Sequence, residues 1–221
     1  MKPILLINFK TYEQGTGKKA LAIAKAADLA ARKTGANVIL SVQPTDLKDV
    51  SKAVSIPVYA QHMDPIKPGS HTGWILPEAV KDAGAKGTLI NHSEHNLDTD
   101  IISANIEKCK ELKIVSVCCA ATPKIATELA AFSPDFIAIE PPELIGGDIS
   151  VAQAKPEIIS DTVKAVKSVN PKVKVLCGAG VNSTEDVMEA LELGAVGVLV
   201  ASAIVKSAAP GKVIESLIKG F

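Results

Sequence analysis

The chain has 221 residues, of which 47% are hydrophobic, and its 24 basic residues balance its 24 acidic residues. This length and composition can bury a large core in one domain, and the zero formal net charge gives no general attraction for nucleic acid or anionic membranes. No apolar run is long enough for a signal peptide or a membrane span. We therefore expect one cytoplasmic domain over residues 1–221 that binds a small molecule, with no nucleic-acid or membrane partner.

Short runs rich in β-branched residues alternate with longer segments rich in alanine, lysine and glutamate. The runs predict eight strands, at residues 4–8, 37–41, 58–61, 88–91, 114–119, 136–139, 173–177 and 196–200. The segments between and after them predict eight helices, near residues 18–33, 46–54, 77–83, 100–112, 123–131, 155–168, 185–193 and 210–219.

This alternation places the chain in the α/β class. Strands that are apolar on both faces favour an all-parallel sheet, and eight strand-helix units are the number that closes into a (β/α)₈ barrel. A doubly wound open sheet is the alternative. It is less favoured because no G-x-G-x-x-G follows the first strand, where a dinucleotide-binding sheet needs its glycines.

Four cysteines occur, at Cys109, Cys118, Cys119 and Cys177, and no two of them form a C-x-x-C pair. Three of them lie inside apolar runs that are typical of strands. We therefore expect buried free thiols.

The sixth predicted strand ends in a carboxylate, and the carboxyl ends of the strands are where a barrel of this kind assembles its site. Glu140 follows this strand and precedes Pro141-Pro142 and, further on, Gly146-Gly147. The prolines restrict the exit from the strand, whereas the glycines let backbone amides approach a ligand. The pattern is typical of a general base beneath a closing loop. The alternative is a solvated acidic residue at an ordinary strand end.

The first predicted strand ends in Asn8-Phe9-Lys10, which places an amide and an ammonium on the same side of the extended chain. Both can point into the mouth of the barrel, where Lys10 can hold an anion. The alternative is a lysine that merely reaches the surface.

The fourth predicted strand ends in the run Asn91-His92-Ser93-Glu94-His95. Ser93 is predicted to cap a short helix, whose amino-terminal dipole would disfavour protonation of His92 and leave an imidazole suited to proton transfer. One alternative is a hydrogen-bonded loop histidine. Another is a metal site formed by His92, Glu94 and His95, for which no fourth ligand is evident.

Small residues follow the seventh and eighth strands, in Cys177-Gly178-Ala179-Gly180-Val181 and Val200-Ala201-Ser202-Ala203. In barrels these two loops, with a short extra helix, commonly bind phosphate through backbone amides, which requires small side chains. The glycines equally suit a tight turn that packs a helix on a strand.

These motifs together resemble the triosephosphate isomerase family. The resemblance rests on Asn-x-Lys after the first strand, His-Ser-Glu after the fourth, Glu-Pro with a later Ile-Gly after the sixth, and the glycine turn after the seventh. Their order and spacing cover nearly the whole chain. The short length and the Cys-Gly-Ala-Gly-Val and Val-Ala-Ser-Ala turns are most similar to the compact archaeal-type branch.

The resemblance implies a single-domain TIM barrel that interconverts dihydroxyacetone phosphate and D-glyceraldehyde 3-phosphate through an enediolate, in glycolysis and gluconeogenesis. It implies Glu140 as the base, His92 as a neutral electrophile, and Lys10 with Asn8 as the groups that stabilise the enediolate and phosphate charge. By the same resemblance the substrate and its phosphate are bound by Asn8, Lys10, Ile145, Gly146, Gly180, Ala201 and Ser202. It further implies a water-excluding lid over residues 141–147 and a homo-oligomer, either a dimer or a tetramer. Since side chains supply acid, base and cation, we expect no metal and no organic cofactor.

The chain departs from the family pattern at three places. The lid has Pro142-Glu143-Leu144 where the family usually has a tryptophan, and Cys-Gly-Ala-Gly-Val replaces Tyr-Gly-Gly-Ser-Val, which removes a serine hydroxyl. His95 replaces the arginine that usually follows His-Ser-Glu, which leaves the partner of Glu94 open. The single tryptophan, Trp74, is predicted to have a packing role.

Two rival functions share some of these features. A different phosphate-binding barrel, such as an aldolase with Lys10 as Schiff-base nucleophile or a sugar-phosphate epimerase, would use the same small-residue turns. A non-catalytic phosphate-binding barrel would not need both Glu140 and His92.

Overall fold

The computed structural model describes residues 2–141 and 150–221. Its strands are β1 Ile4–Asn8, β2 Asn37–Val42, β3 Val58–Ala60, β4 Gly87–Ile90, β5 Val115–Ala120, β6 Phe136–Ile139, β7 Lys174–Cys177 and β8 Gly197–Val200. They pair in chain order, all in parallel, and β8 pairs with β1. The described residues therefore form a closed (β/α)₈ barrel, which confirms the predicted fold class and excludes the open sheet.

The helices in the described part of the chain are α1 Gly17–Thr34, α2 Pro44–Ala53, α3 Pro77–Asp82, α4 Thr99–Leu112, α5 Pro123–Ala130, α6 Val151–Ala154, α7 Pro156–Val169, α8 Thr184–Glu192, α9 Ser202–Val205 and α10 Pro210–Ile218. Several begin at proline, whose fixed φ and missing N–H suit the first helical position. The short helices α6 and α9 and the 3₁₀ turn Glu13–Gly15 were not predicted individually. Each is too short to show a helical period in the sequence.

The strands bury both faces because side chains alternate across each strand. Along β1, Ile4 and Leu6 join the cluster that fills the barrel, whereas Leu5 and Ile7 join the larger cluster beneath the helices. The barrel closes tightly where β8 meets β1: a Cβ at Gly197 would overlap the Ile4 backbone. No helix among the described residues is both long and apolar enough to span a membrane.

All four cysteines are free and buried, as predicted. Burial raises the pKa of the Cys109 thiol to about 12. Such thiols stay protonated at neutral pH and behave as small apolar groups.

Candidate active site

Three of the polar residues predicted at strand ends are buried at the carboxyl-terminal mouth of the barrel. Asn8 ends β1, His92 follows β4 and Glu140 follows β6, and they are only 3%, 7% and 2% exposed. Lys10 lies two residues beyond β1, and its side chain is 9% exposed. The barrel thus brings residues from three strand ends that are far apart in sequence to one mouth.

Glu140 faces His92 across this mouth. Its Oε1 lies 3.7 Å from His92 Nε2, and neither that nitrogen nor Glu140 Oε2 has a hydrogen-bond partner among the described residues. Burial raises the pKa of Glu140, although His92, the Cys119 thiol and Lys10 each act to lower it. A buried carboxylate with an unused oxygen beside an imidazole is a group suited to accept a proton.

Glu140 is held in place by its backbone and by an adjacent glycine. Its N–H donates to the Ala120 carbonyl at 2.8 Å, and the Gly178 N–H donates to the Ile139 carbonyl at 3.0 Å. A Cβ at Gly178 would overlap Glu140 Cγ and lie 3.1 Å from its Cδ. Gly178 is therefore required by the carboxylate, a role that the sequence analysis assigned to no residue of this turn.

His92 is oriented by the turn that follows it, which differs from the prediction. No helix starts at Ser93: His95 N–H closes a turn on the His92 carbonyl at 2.7 Å, and α4 begins only at Thr99. The dipole argument for a neutral His92 is therefore wrong. A local hydrogen bond takes its place, since the Glu94 N–H donates to His92 Nδ1 at 3.1 Å. A neutral ring that accepts at Nδ1 carries its proton on Nε2, the nitrogen that faces Glu140.

Lys10 is fixed in an unusual backbone conformation, with a φ of 47°. Its N–H donates to Asn8 Oδ1 at 3.0 Å, and its Nζ lies 2.7 Å from Glu94 Oε1. The exposed carboxylate of Glu94 thus has the partner that the sequence left open. A lysine held in this way is not the free surface cation of the alternative reading.

Gln61 supports Lys10, and the sequence analysis missed this role. Its Nε2 donates to the Lys10 carbonyl at 2.9 Å and lies 3.3 Å from Asn8 Oδ1. Left-handed backbone is costly for a residue other than glycine, so such a contact helps to hold it. The available signal was the polar residue immediately after β3, which is comparable with Asn91 immediately after β4.

A cavity beside Glu140 collects the predicted phosphate-binding residues that the structure describes. It is lined by Lys10, Glu140, Gly180, Ala201 and Ser202, among others. The unpredicted helix α9 begins at Ser202, and the first N–H groups of a helix have no partner within it. Ile145 and Gly146, and all but the first residue of the predicted lid, lie outside the described residues.

Two further expectations change in the structure. Within residues 2–141 and 150–221, no three His, Cys, Asp or Glu side chains are placed to hold a metal ion together, so His92, Glu94 and His95 do not form the alternative metal site. Trp74 is 58% exposed, and its predicted packing role is wrong. It lies in the loop after β3.

Comparisons with known proteins confirm the family resemblance found in the sequence. A family model described as triosephosphate isomerase matches residues 3–217. The triosephosphate isomerase of Methanocaldococcus jannaschii is 50% identical over 98% of this chain and 99% of its own, and that of Methanothermus fervidus is 48% identical over 98% of each. A crystal structure of triosephosphate isomerase from Bartonella henselae, at 20% identity, shares the fold with a TM-score of 0.76 over 97% of this chain and 98% of its own. The chain belongs to the triosephosphate isomerase family.

Proposed function

We propose that the chain interconverts dihydroxyacetone phosphate and D-glyceraldehyde 3-phosphate through an enediolate, in glycolysis and gluconeogenesis. The observation that carries the proposal is the buried Glu140 carboxylate, 3.7 Å from His92 Nε2 and beside a cavity that Lys10 also lines. The relatives that match nearly the whole chain are named for this isomerisation.

Glu140 acts as the base that moves a proton between two neighbouring carbons of the substrate. A carboxylate whose pKa is raised by burial is a stronger base than a solvated one, and its Oε2 has no competing partner among the described residues. His92 acts as the electrophile. The Nε2 proton of its neutral ring can donate to the carbonyl oxygens of the substrate, where negative charge develops.

Lys10 and Asn8 stabilise the negative charge of the enediolate and of the phosphate. The phosphate binds between the Lys10 ammonium and the small residues Gly180, Ala201 and Ser202, because backbone N–H groups approach it closely only where side chains are small. By the family resemblance, Ile145 and Gly146 are also proposed to bind the phosphate.

The residues that follow the predicted lid are bonded to the loop after β7 and to α8. The Val151 N–H donates to the Ala179 carbonyl at 3.1 Å, and Gln153 Nε2 donates to Asp186 Oδ1 at 2.7 Å. The first bond joins this segment to the turn that carries Gly178 and Gly180, and the second joins it to α8. From the family resemblance we infer that a lid over residues 141–147 excludes water from the enediolate.

The reaction needs no metal and no organic cofactor, since side chains supply the base, the electrophile and the cation. The protein works in the cytoplasm as a homo-oligomer, a dimer or a tetramer. The proposal of an oligomer rests on the family resemblance. Analytical ultracentrifugation measures the assembly, and a monomer at micromolar concentration would refute it.

The activity is tested by supplying glyceraldehyde 3-phosphate and coupling the formation of dihydroxyacetone phosphate to its reduction. We expect rapid turnover of the wild type and loss of activity in Glu140→Gln. A purified, folded wild type without isomerase activity would refute the proposal. Trapping of a covalent imine by borohydride would instead favour the aldolase alternative with Lys10 as nucleophile.

A further inference from the structure

Two histidines connect the active-site turn to the neighbouring loop. His62 lies in the loop after β3 and His95 ends the turn 92–95, yet their ring centroids are 4.3 Å apart with the planes inclined by 35°. Two aromatic rings at this separation are in van der Waals contact. This imidazole stack, the rings of His62 and His95, is the ring contact that joins these two loops among the described residues.

Both rings are attached to short, hydrogen-bonded segments. His62 Nε2 lies 3.1 Å from Asp64 Oδ1, and the other oxygen of Asp64 accepts the Ile75 N–H at 2.6 Å. Since Asp64 N–H also donates to the Ile75 carbonyl, Asp64 closes the base of the loop after β3. His95 is bonded through its own N–H to the His92 carbonyl at 2.7 Å. A displacement of the stack is therefore transmitted to the turn that carries His92.

Charged groups surround the stack, so the protonation of its rings changes the electrostatic interactions there. Two carboxylates are near the stack. Asp64 bonds to His62, and Glu94 precedes His95 and lines a cavity together with both rings of the stack. Lys10 and His92 line that cavity as well. Burial lowers the pKa of His62, Asp64 acts to raise it, and the charge of His95 acts to lower it further. Because the ring centroids are only 4.3 Å apart, positive charge on both rings would place two like charges in contact.

We propose that the imidazole stack positions the turn 92–95 for catalysis, and that a second proton on the stack releases the turn as the pH falls. The stack holds the turn whose backbone orients the His92 ring and whose Glu94 holds Lys10. His62 and His95 are thus positioning residues that act through His92 and Lys10. The catalytic consequence rests on the roles proposed above for those two residues, whereas the release of the turn does not.

Trp74 reports on the stack without any reference to catalysis. It is the single tryptophan of the chain, and together with His62, Asp64 and His95 it lines a cavity beside the stack. A protonated imidazole nearby quenches indole fluorescence. His71 also lies near Trp74, with ring centroids 6.1 Å apart, so His71→Asn serves as the background that removes its contribution.

The first experiment follows Trp74 emission from about pH 8 to about pH 5, the range in which histidines titrate. In the His71→Asn background we expect a reversible transition. Adding His95→Phe, which keeps a ring in the stack but cannot be protonated, should abolish the transition or move its midpoint by at least about half a pH unit. An unchanged transition in the double variant would overturn the proposal. This test does not depend on isomerase activity.

The second experiment uses the isomerase assay. At neutral pH, His95→Phe should retain about fivefold more kcat than His95→Ala, with similar KM, because only the alanine variant loses the stack. The ratio of kcat between His95→Phe and the wild type should rise as the pH falls. Titration of Glu140 cancels in this ratio because both proteins contain it. A flat ratio together with equal kcat in the two variants would show that the stack positions nothing.

Discussion

Glu140→Asp tests the assignment of the base most directly, because it keeps the carboxylate and withdraws it by one methylene. That is about 1.5 Å of covalent reach. The backbone cannot follow, since Glu140 N–H is bonded to Ala120 and the next strand is bonded to Ile139. A misplacement of 1 Å costs about a hundredfold in rate, so kcat should fall by roughly two to three orders of magnitude. KM should change little, because Lys10 and the small-residue cavity keep their contacts.

The assay is the coupled reduction of dihydroxyacetone phosphate, with kcat and KM determined separately. Glu128→Asp is the matched control, because this glutamate is exposed on α5 and should show the parent rate. Tm should be nearly unchanged in both variants. If Glu140→Asp isomerised triose phosphates at the parent rate, Glu140 would not be the base, and the mechanism would fail even though the barrel is correct.

Four other changes probe the rest of the site. Lys10→Ala should raise KM and lower kcat together because it removes the cation, and Lys10→Arg should restore only part of the activity since the guanidinium fork is larger. Lys18 is exposed, and Lys18→Ala is the control that should show parent kinetics. Parent kinetics in Lys10→Ala would refute the binding role of Lys10. Gly178→Ala should lower kcat by about a hundredfold, because its methyl displaces the Glu140 carboxylate. Gly211→Ala is the control and should keep the parent rate, because a Cβ there would lie 3.6 Å from its nearest neighbour, Ala26 Cβ. Equal rates in the two variants would contradict this reasoning. Glu140→Gln should raise Tm at neutral pH: the pKa of Glu140 is raised on folding, so above its unfolded pKa the folded state binds more protons than the unfolded state, and the wild type loses stability as the pH rises. The gain should vanish toward about pH 4, and equal Tm values at neutral pH would argue against it. Activity should survive exhaustive chelation, and a loss that only a divalent ion restores would revive a metal site.

Local patterns in the sequence were enough to predict the eight strands and the main helices. Strand runs are apolar on both faces because the barrel buries both faces. Several helices begin at proline, and their buried faces show a 3.6-residue period of apolar residues. The prediction was wrong where a short segment has no period, as at Ser93, where a turn replaces the expected helix. It was also wrong for Trp74, because burial depends on what covers a loop rather than on the residue type.

By itself the sequence determined which residues end the strands, and therefore which polar groups reach the mouth of the barrel. It could not determine how those groups pair. The Lys10–Glu94 bond spans 84 positions, and the contact of Glu140 with Gly178 joins two strand ends. Such contacts depend on barrel closure, because the register between neighbouring strands sets where each strand ends along the barrel axis. The tertiary structure alone therefore decided the partner of Glu94, the need for glycine at 178 and the stacking of His62 on His95. Each of these depends on the distance between two residues that are far apart along the chain, and local sequence does not determine that distance.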